Sequence, residues 1–137
     1  MKATLLIVAA LVVAGIIALL PFGKSAAANA PTDDDVIEQL RLAGSNLSKP
    51  HPIDFYIYVP SKEAAERVSG VLSNQGFRVK VQYSAIDSNW LALASKSVVP
   101  TSAALAKLRQ DLTALATHEH GQYDGWEAAV VKEKQPN

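Results

Sequence analysis

The chain has 137 residues, of which 13 are basic and 13 acidic, so its formal net charge is zero. This length accommodates one domain and a targeting segment but not two full domains, and the balanced charge lacks the basic excess that binding to duplex nucleic acid requires. The absence of cysteine excludes disulfides, thiolate metal sites and a cysteine nucleophile.

The first predicted element is an uncharged, apolar segment over residues 3–20, which ends before Pro21. As a helix it would be roughly 27 Å long, close to the thickness of a bilayer core. Small residues follow in an A-x-A pattern over Ser25–Ala30, so the segment predicts either a membrane anchor or a cleaved signal peptide. We therefore expect an inner-membrane-anchored or periplasmic protein of a bacterial envelope. The boundaries are a signal peptide or anchor over 1–22 and a linker over 23–31.

A short helix is predicted over about Thr32–Ala43. Thr32 is a suitable N-cap, and three aspartates follow it in the first turn, where the helix dipole favours acids. Gly44 suits the position just after the helix end. The aspartate triplet is therefore interpreted as helix capping and not as a metal-binding cluster.

The first strand is predicted over Ile53–Val59, where apolar and polar residues alternate. Its odd-numbered residues are assigned to the core, and Asp54, Tyr56 and Tyr58 to the opposite face. Ser61 then caps a second helix, which stops at Gly76.

Two strands, a helix and a fourth strand are predicted in the second half of the chain. Phe77–Tyr83 alternates and predicts a second strand, and Trp90–Lys96 predicts a third. Pro100 and Thr101 open a helix with leucines three and four residues apart, and a fourth strand follows over Gln122–Val131. In the third strand we expect Leu91 and Leu93 to face the core, and Trp90, Ala92 and Ala94 to face outward.

This order, a helix followed by β-α-β-β-α-β, predicts an α+β protein with the ferredoxin-like split βαβ fold. Two helices are expected to cover one face of a four-stranded antiparallel sheet. The other face is open, or is covered by the extra helix or by a partner. The domain is assigned to residues 32–131, followed by a polar tail over 132–137.

Several motifs carry a resemblance to a known family. They are Gly44, Leu47–Pro50, Tyr58–Pro60, Gly76–Phe77, Trp90 and above all the segment Gly121–Glu127, which reads GQYDGWE. Over residues 32–131 the chain resembles the regulator of ribonuclease E activity B family, also described as ribonuclease E inhibitors. The resemblance implies a ferredoxin-like fold, no catalysis, and inhibition of an endoribonuclease by protein–protein contact.

Aromatic and basic side chains are predicted to share the outward face of the sheet. Open sheets with aromatic residues stack bases in RNA-binding domains, but the RNP pattern is missing here, so no nucleic-acid partner is assigned. Packing under the first helix or against a second copy, and recognition of a ligand or protein partner, both stay open. The residues of this face are Tyr56, Tyr58, Trp90, Arg78 and Lys80.

The Tyr123–Trp126 segment is a second candidate partner-binding element. Gly125 permits a bulge or a close backbone approach, and Tyr123 and Trp126 are predicted to point to opposite faces. Under this hypothesis Tyr123, Asp124 and Trp126 contact the partner, and replacing Trp126 by alanine removes binding while leaving the fold largely intact. A purely structural role of the segment is the alternative.

No metal, cofactor or catalytic site is assigned. His118 and His120 flank Glu119, but histidines next to a helix C-terminus are favourable without a metal, and His51 is interpreted as a loop residue. No nucleophile, zinc or phosphate-loop motif is present.

The leading hypothesis is an exported or membrane-tethered, non-catalytic interaction domain. It contacts the membrane through residues 3–20 and has a protein partner, which by the family resemblance is ribonuclease E, while self-association stays open. One alternative is a membrane-tethered inhibitor of ribonuclease E-type RNA decay that faces the cytosol. The other is an envelope domain that binds a small ligand or a metal.

Overall fold

The computed structural model describes residues 6–7, 31–85 and 88–132 of the chain. Three helices and five strands lie in these ranges. The helices are α1 (Asp33–Leu42), α2 (Lys62–Asn74) and α3 (Ser102–His118). The strands are β1 (Leu6–Ile7), β2 (His51–Val59), β3 (Arg78–Ser84), β4 (Asn89–Val98) and β5 (Gln122–Ala129).

The strands form one antiparallel sheet in the order β1-β5-β2-β4-β3. From β2 onward the chain runs β-α-β-β-α-β, and the first strand of this unit lies between the last and the third. This is the ferredoxin-like split βαβ arrangement that the sequence predicts. The helix α2 packs on β3 and β4, and α3 packs on β5.

The core lies between the sheet and the helices. The odd-numbered residues of β2 are buried as the alternation predicts, with Phe55 and Ile57 completely inaccessible to solvent. Val68 and Leu72 of α2 meet them from one side and Leu105 of α3 from the other. Each such side chain contributes about 1.5–3 kcal/mol by its burial, so this face defines the fold.

Capping hydroxyls begin all three helices. Thr32 and Asp35 form a capping box, in which the threonine Oγ1 accepts from the backbone N–H of Asp35 and the aspartate accepts from that of Thr32. Ser61 and Thr101 accept from the amides three residues ahead. The predicted helix starts are therefore confirmed.

The predicted apolar helix over residues 3–20 lies almost entirely outside the described residues. Leu6 and Ile7 are described, and they form β1, which pairs with Ala129 and Ala128 of β5. These two residues are thus extended, where the sequence predicted a helix. Among the described helices, none has both the length and the apolar character needed to cross a bilayer.

The orientation predicted for β4 is wrong. Ala92 and Ala94 pair with Ile57 and Phe55 and are completely buried under the helices, whereas Leu91 lies on the other side of the sheet. The reason is steric: α2 packs on this strand and two of its buried residues are alanines, Ala64 and Ala65, so the helix and the sheet approach closely and only small side chains fit between them. Hydrophobicity alone assigned the larger leucines to the core.

Candidate functional site

The open face is the side of the sheet opposite α2 and α3. The strand register arranges its side chains in three rows, each running from β5 through β2 and β4 to β3. The first row contains Glu127, Asp54, Ser95 and Arg78. The second row contains Asp124, Tyr56, Leu93 and Lys80. The third row contains Gln122, Tyr58, Leu91 and Gln82.

A bulge in β5 explains how the second row is completed. Tyr123 pairs with Ile57, and Trp126 pairs with Phe55. Two residues of β5, Asp124 and Gly125, therefore lie opposite one residue of β2, Tyr56. Gly125 has a φ of 100°, which a glycine tolerates without strain. Because of the extra residue, Tyr123 and Trp126 lie on the same face, under the helices. The prediction that they point to opposite faces is therefore wrong.

Trp126 links the sheet to α1. It is only 4% exposed, and its Nε1–H donates to Asp33 Oδ1 over 3.1 Å. The second oxygen of Asp33 forms an ion pair with Arg109 Nε of α3, also at 3.1 Å. Tyr123 lies in the same region, where burial, together with the negative charge of Asp33, raises the pKa of its hydroxyl. A direct contact between Trp126 and a partner would require that this buried ring become exposed.

Trp90 also differs from its predicted position. It pairs with Val59 on the helix-covered face, and its ring meets that of Tyr83 edge to face, with centroids 5.4 Å apart. Of the six predicted binding residues, the open face therefore holds Tyr56, Tyr58 and Asp124.

Three carboxylates converge around these residues. The Tyr56 hydroxyl donates to Glu127 Oε1, and the Ser95 hydroxyl donates to Asp54 Oδ1 over 2.6 Å. Glu127 and Asp54 are direct cross-strand partners, so two negative charges lie side by side. Like charges at this spacing repel, which favours a cation nearby.

Burial shifts the proton affinities of this cluster. It raises the pKa of Asp124 to about 6. It also raises the pKa of Glu127, an effect that the hydrogen bond from Tyr56 partly opposes and the charge of Asp54 reinforces. The hydroxyls of Tyr56 and Tyr58 have raised pKa values, chiefly because burial disfavours the phenolate, so both stay neutral donors.

Two carboxylate oxygens of the cluster lack a partner. Within the described ranges, Asp124 Oδ1 and Glu127 Oε2 are shielded from solvent and accept no hydrogen bond. A buried, unsatisfied acceptor costs about 1–3 kcal/mol, more when it is charged. Such a cost is tolerated where a bound group supplies the missing donors. The sequence placed Asp124 among the candidate binding residues but not Glu127, because the pairing of Glu127 with Asp54 depends on a strand register that the sequence does not show.

The histidines have structural positions. Glu119 pairs with Arg67, at 2.8 Å, and with His118 Nδ1, at 3.6 Å. His120 occupies the left-handed turn that follows, with a φ of 58°. Across the part of the chain that the structure describes, no group of three or more histidine, cysteine or acidic residues is placed to hold a metal ion.

The prediction that His51 is a loop residue is wrong. It is the first residue of β2 and is completely buried. Its Nδ1–H donates to the carbonyl of Lys49 over 2.7 Å, which leaves Nε2 to accept from the Ser45 hydroxyl over 2.5 Å. Ser45 Oγ in turn accepts the backbone N–H of Val131 over 2.9 Å. This serine–histidine pair is buried and ties the segment before β2 to the one after β5.

The comparison with protein families finds a match. A family model described as regulator of ribonuclease activity B matches residues 31–128, which is more than two thirds of the chain. The match begins just before α1 and ends at the penultimate residue of β5, so it contains all three rows of the open face. No curated protein matches the chain as a relative.

Proposed function

The chain belongs to the regulator of ribonuclease activity B family, and from this membership we propose that it is a non-catalytic regulator that binds a ribonuclease through the open face of its sheet. The observation that carries this proposal is the pair of unpartnered carboxylate oxygens, Asp124 Oδ1 and Glu127 Oε2, which belong to half-buried side chains and would have to turn outward to meet a partner. The family is regulatory, and the Ser45–His51 pair is buried, which makes the hydroxyl inaccessible as a nucleophile. We expect the isolated chain to cleave no RNA.

The chemistry of the face defines the ribonuclease segment that it would bind. An arginine or lysine would supply the donors that the two carboxylates lack, and charge-assisted hydrogen bonds of this kind are about twice as strong as neutral ones. The rings of Tyr56 and Tyr58 adjoin the carboxylates and would contact the stem of such a side chain or its cation. By the family resemblance, the partner is an endoribonuclease of the ribonuclease E type.

A charge reversal at Asp124 tests the proposal. We expect Asp124→Lys to weaken the binding of ribonuclease E by about tenfold or more, because it replaces an acceptor by a cation at the point where the partner's cation would lie. The measurement is the dissociation constant by calorimetry, together with the rate of RNA cleavage by ribonuclease E in the presence of the chain.

The matched control is Glu66→Lys, which makes the same charge change on an exposed site of α2, on the other side of the molecule. It should bind ribonuclease E as the unaltered chain does. Equal binding by Asp124→Lys and Glu66→Lys would exclude the open face as the binding site. Absence of binding by the unaltered chain would reject the proposed function itself.

We also propose that residues 3–20 tether the domain to the inner membrane or export it, since 18 consecutive uncharged residues are long enough to span a bilayer core. Insertion would require Leu6 and Ile7 to leave their pairing with β5. A compartment-sensitive reporter fused after Asn137, combined with the mass of the product, tests this. A reporter active in the cytosol supports a tethered ribonuclease regulator. A reporter active outside would separate the domain from cytosolic ribonuclease E, and its partner would then be an envelope protein.

A further inference from the structure

The open face carries opposite charges at its two ends. On the β5 side, the first and second rows begin with Glu127 and Asp124, and on the β3 side they end with Arg78 and Lys80. The middle of the face is aromatic and aliphatic: Tyr56, Tyr58 and Leu93 are half-buried, and Leu91 beside them is only 5% exposed. A flat face with an apolar centre and charged ends is typical of a surface that binds another protein.

Neither charged end is neutralised within one copy of the chain. Among the described residues, Asp124 Oδ1 and Glu127 Oε2 accept no hydrogen bond. Arg78 and Lys80 are exposed, and no ion pair joins them to the described acids. By contrast, the other three arginines of the described ranges each pair with an acid: Arg41 with Glu38, Arg67 with Glu119, and Arg109 with Asp33.

The strand order allows the acidic end of one copy to lie over the basic end of a second copy related by two-fold symmetry. In the series β5-β2-β4-β3, the outer strands lie equally far from the gap between β2 and β4. When two open faces stack, a two-fold axis that runs parallel to the strands between the faces places β5 of one copy over β3 of the other. Because this axis preserves the position along the strands, each row lies over the same row of the second copy.

We propose that the open face binds a second copy of this chain in this two-fold arrangement. Glu127 then faces the partner copy's arginine in the first row, and Asp124 faces its lysine in the second row, and each contact occurs twice. Stacked sheets lie about 10 Å apart, a gap that glutamate and arginine side chains span together. The tyrosines and leucines of the two copies form the centre of the interface.

The size of the face sets the strength of the dimer. Twelve residues in three rows amount to about half of the 20–30 residues a side of a standard interface. We therefore expect a dimer that dissociates at micromolar concentrations and weakens with added salt, since four of its contacts join opposite charges near the rim.

This inference uses the same face as the proposed function but does not depend on it. The two occupants exclude each other, so dimerisation would keep the regulator from the ribonuclease at high protein concentration. The double variant Arg78→Glu with Glu127→Arg distinguishes them: it restores the dimer contacts, because each swapped residue meets its opposite on the second copy, but it places an arginine where the ribonuclease's cation would lie, so its binding of ribonuclease E should stay weakened.

The test is sedimentation equilibrium of the full chain in a mild detergent that keeps the apolar segment in solution. We expect Arg78→Glu and Glu127→Arg each to raise the dimer dissociation constant about tenfold or more, and the two changes together in one chain to restore it. Restoration is specific to this symmetry, because each swapped residue then meets its opposite on the second copy. Circular dichroism shows whether each variant is folded.

Control variants test whether the effects on the dimer are specific to the open face. Lys62→Glu reverses a charge on α2 and should leave the dimer unchanged, and Lys80→Glu with Asp124→Lys repeats the swap in the second row if Glu127→Arg fails to fold. An unaltered chain that stays monomeric up to millimolar concentration overturns the inference, and if it still binds ribonuclease E, the face belongs to that partner alone. A dimer that neither single reversal weakens also overturns it, and points to association through the apolar segment.

Discussion

At the scale of single residues, Gly121 is the described glycine at which an added Cβ would meet the closest atoms. It lies in the turn between α3 and β5, where the chain passes the end of β2. A Cβ at this position would lie 2.1 Å from the backbone oxygen of Tyr58 and 2.7 Å from Val59 Cγ1. Because a backbone atom cannot move aside cheaply, we expect Gly121→Ala to lower the free energy of unfolding by about 3 kcal/mol, measured by urea denaturation.

Gly70 provides the matched control for this substitution. It lies inside α2, and a Cβ there would meet nothing within 4 Å. Alanine has the higher helix propensity, so Gly70→Ala should raise the free energy of unfolding by about 0.5–1 kcal/mol. Equal effects of the two substitutions would show that the close approach at Gly121 does not constrain the fold.

Asp124 makes the stability of the domain depend on pH. Burial raises its pKa to about 6 from an ordinary value of 3.8, so between pH 4 and 6 the folded chain binds more protons than the unfolded chain. The contribution of this residue to stability therefore falls as pH rises through that window. Asp124→Asn removes the titration. It should be more stable than the unaltered chain by about 1 kcal/mol at pH 7, after allowance for partial solvent screening, with no such gain at pH 4.

The measurement is urea denaturation of both chains at several pH values, with an NMR titration of the Asp124 carboxyl group. A measured pKa near 4, or a stability difference that does not change with pH, would contradict the burial of this carboxylate. The same result would weaken the argument that it awaits a cation from a partner.

The bulge in β5 shows what the sequence could not reveal at this scale. The sequence identified Gly125 as a position that permits a bulge, and the structure confirms one. The sequence did not establish that the bulge forms. Without a bulge, the side chains of a strand alternate between its two faces, and this alternation placed Tyr123 and Trp126 on opposite faces. One inserted residue reverses that assignment for everything on one side of it. The reversal buries Trp126 and leaves Asp124 on the open face.

At the scale of elements, α1 is held against the domain by a small number of contacts. Val36 and Leu40 enter the core, and Asp33 joins Trp126 of β5 to Arg109 of α3. The sequence interpreted the aspartate triplet as helix capping, and the capping box of Asp35 agrees. The additional role of Asp33 depends on tertiary contacts with residues far along the chain, which local capping rules do not describe.

We predict that Trp126→Phe lowers the free energy of unfolding by about 1–2 kcal/mol, because the ring becomes smaller and Asp33 loses a buried donor. In a double-mutant cycle with Asp33→Ala, the two changes should couple by about 1 kcal/mol, measured by urea denaturation. Trp126→Ala should cost more, about 3–5 kcal/mol. This expectation replaces the one from sequence, in which the alanine variant kept its stability and lost only its partner.

Asp34→Ala is the control for this prediction. Asp34 accepts a hydrogen bond from Ser102 on the exposed surface between α1 and α3. Its loss should change the free energy of unfolding by less than about 0.5 kcal/mol. Additive effects of the Asp33 and Trp126 substitutions would show that the hydrogen bond between them does not fasten α1.

Most elements were predictable from the sequence because their signals are local. The N-caps Thr32 and Ser61 and the alternation in β2 each depend on neighbouring residues only. The orientation of β4 depends instead on how closely α2 approaches the sheet, and that distance is set by residues in another element. The open face was therefore predicted correctly for Tyr56 and Tyr58 and wrongly for Trp90.

At the scale of the whole molecule, the sheet divides the protein into two functional sides. The helix-covered side is apolar and closely packed, and it contains the two aromatic residues of the family motif, Tyr123 and Trp126. The open side has Tyr56, Tyr58 and the unsatisfied carboxylates. One motif therefore contains both kinds of residue. Trp126 supports the fold, and Glu127, the next residue along the strand, lies on the face that would meet a partner.

This division predicts that the domain folds without the amino-terminal segment. Among the described residues, the buried core lies between Val36 and Ala128, inside the range that the family model matches. The described part of the preceding segment contributes only the two residues of β1, which pair at the outer edge of β5. A chain of residues 31–137 should therefore unfold cooperatively in urea, with a free energy of unfolding within about 1 kcal/mol of the full chain, since a two-residue edge strand adds little burial.

Removal of residues 1–44 provides the contrast. That deletion also removes α1, and with it the buried Val36 and Leu40 and the hydrogen bond from Trp126 to Asp33. Two buried aliphatic side chains and one buried hydrogen bond make the expected loss several kcal/mol, about 4–7 by the usual increments. If the 31–137 chain were as unstable as the shorter one, the amino-terminal segment would be part of the fold. Its roles as tether and as folding element would then compete, because residues inserted in a bilayer cannot also pair with β5.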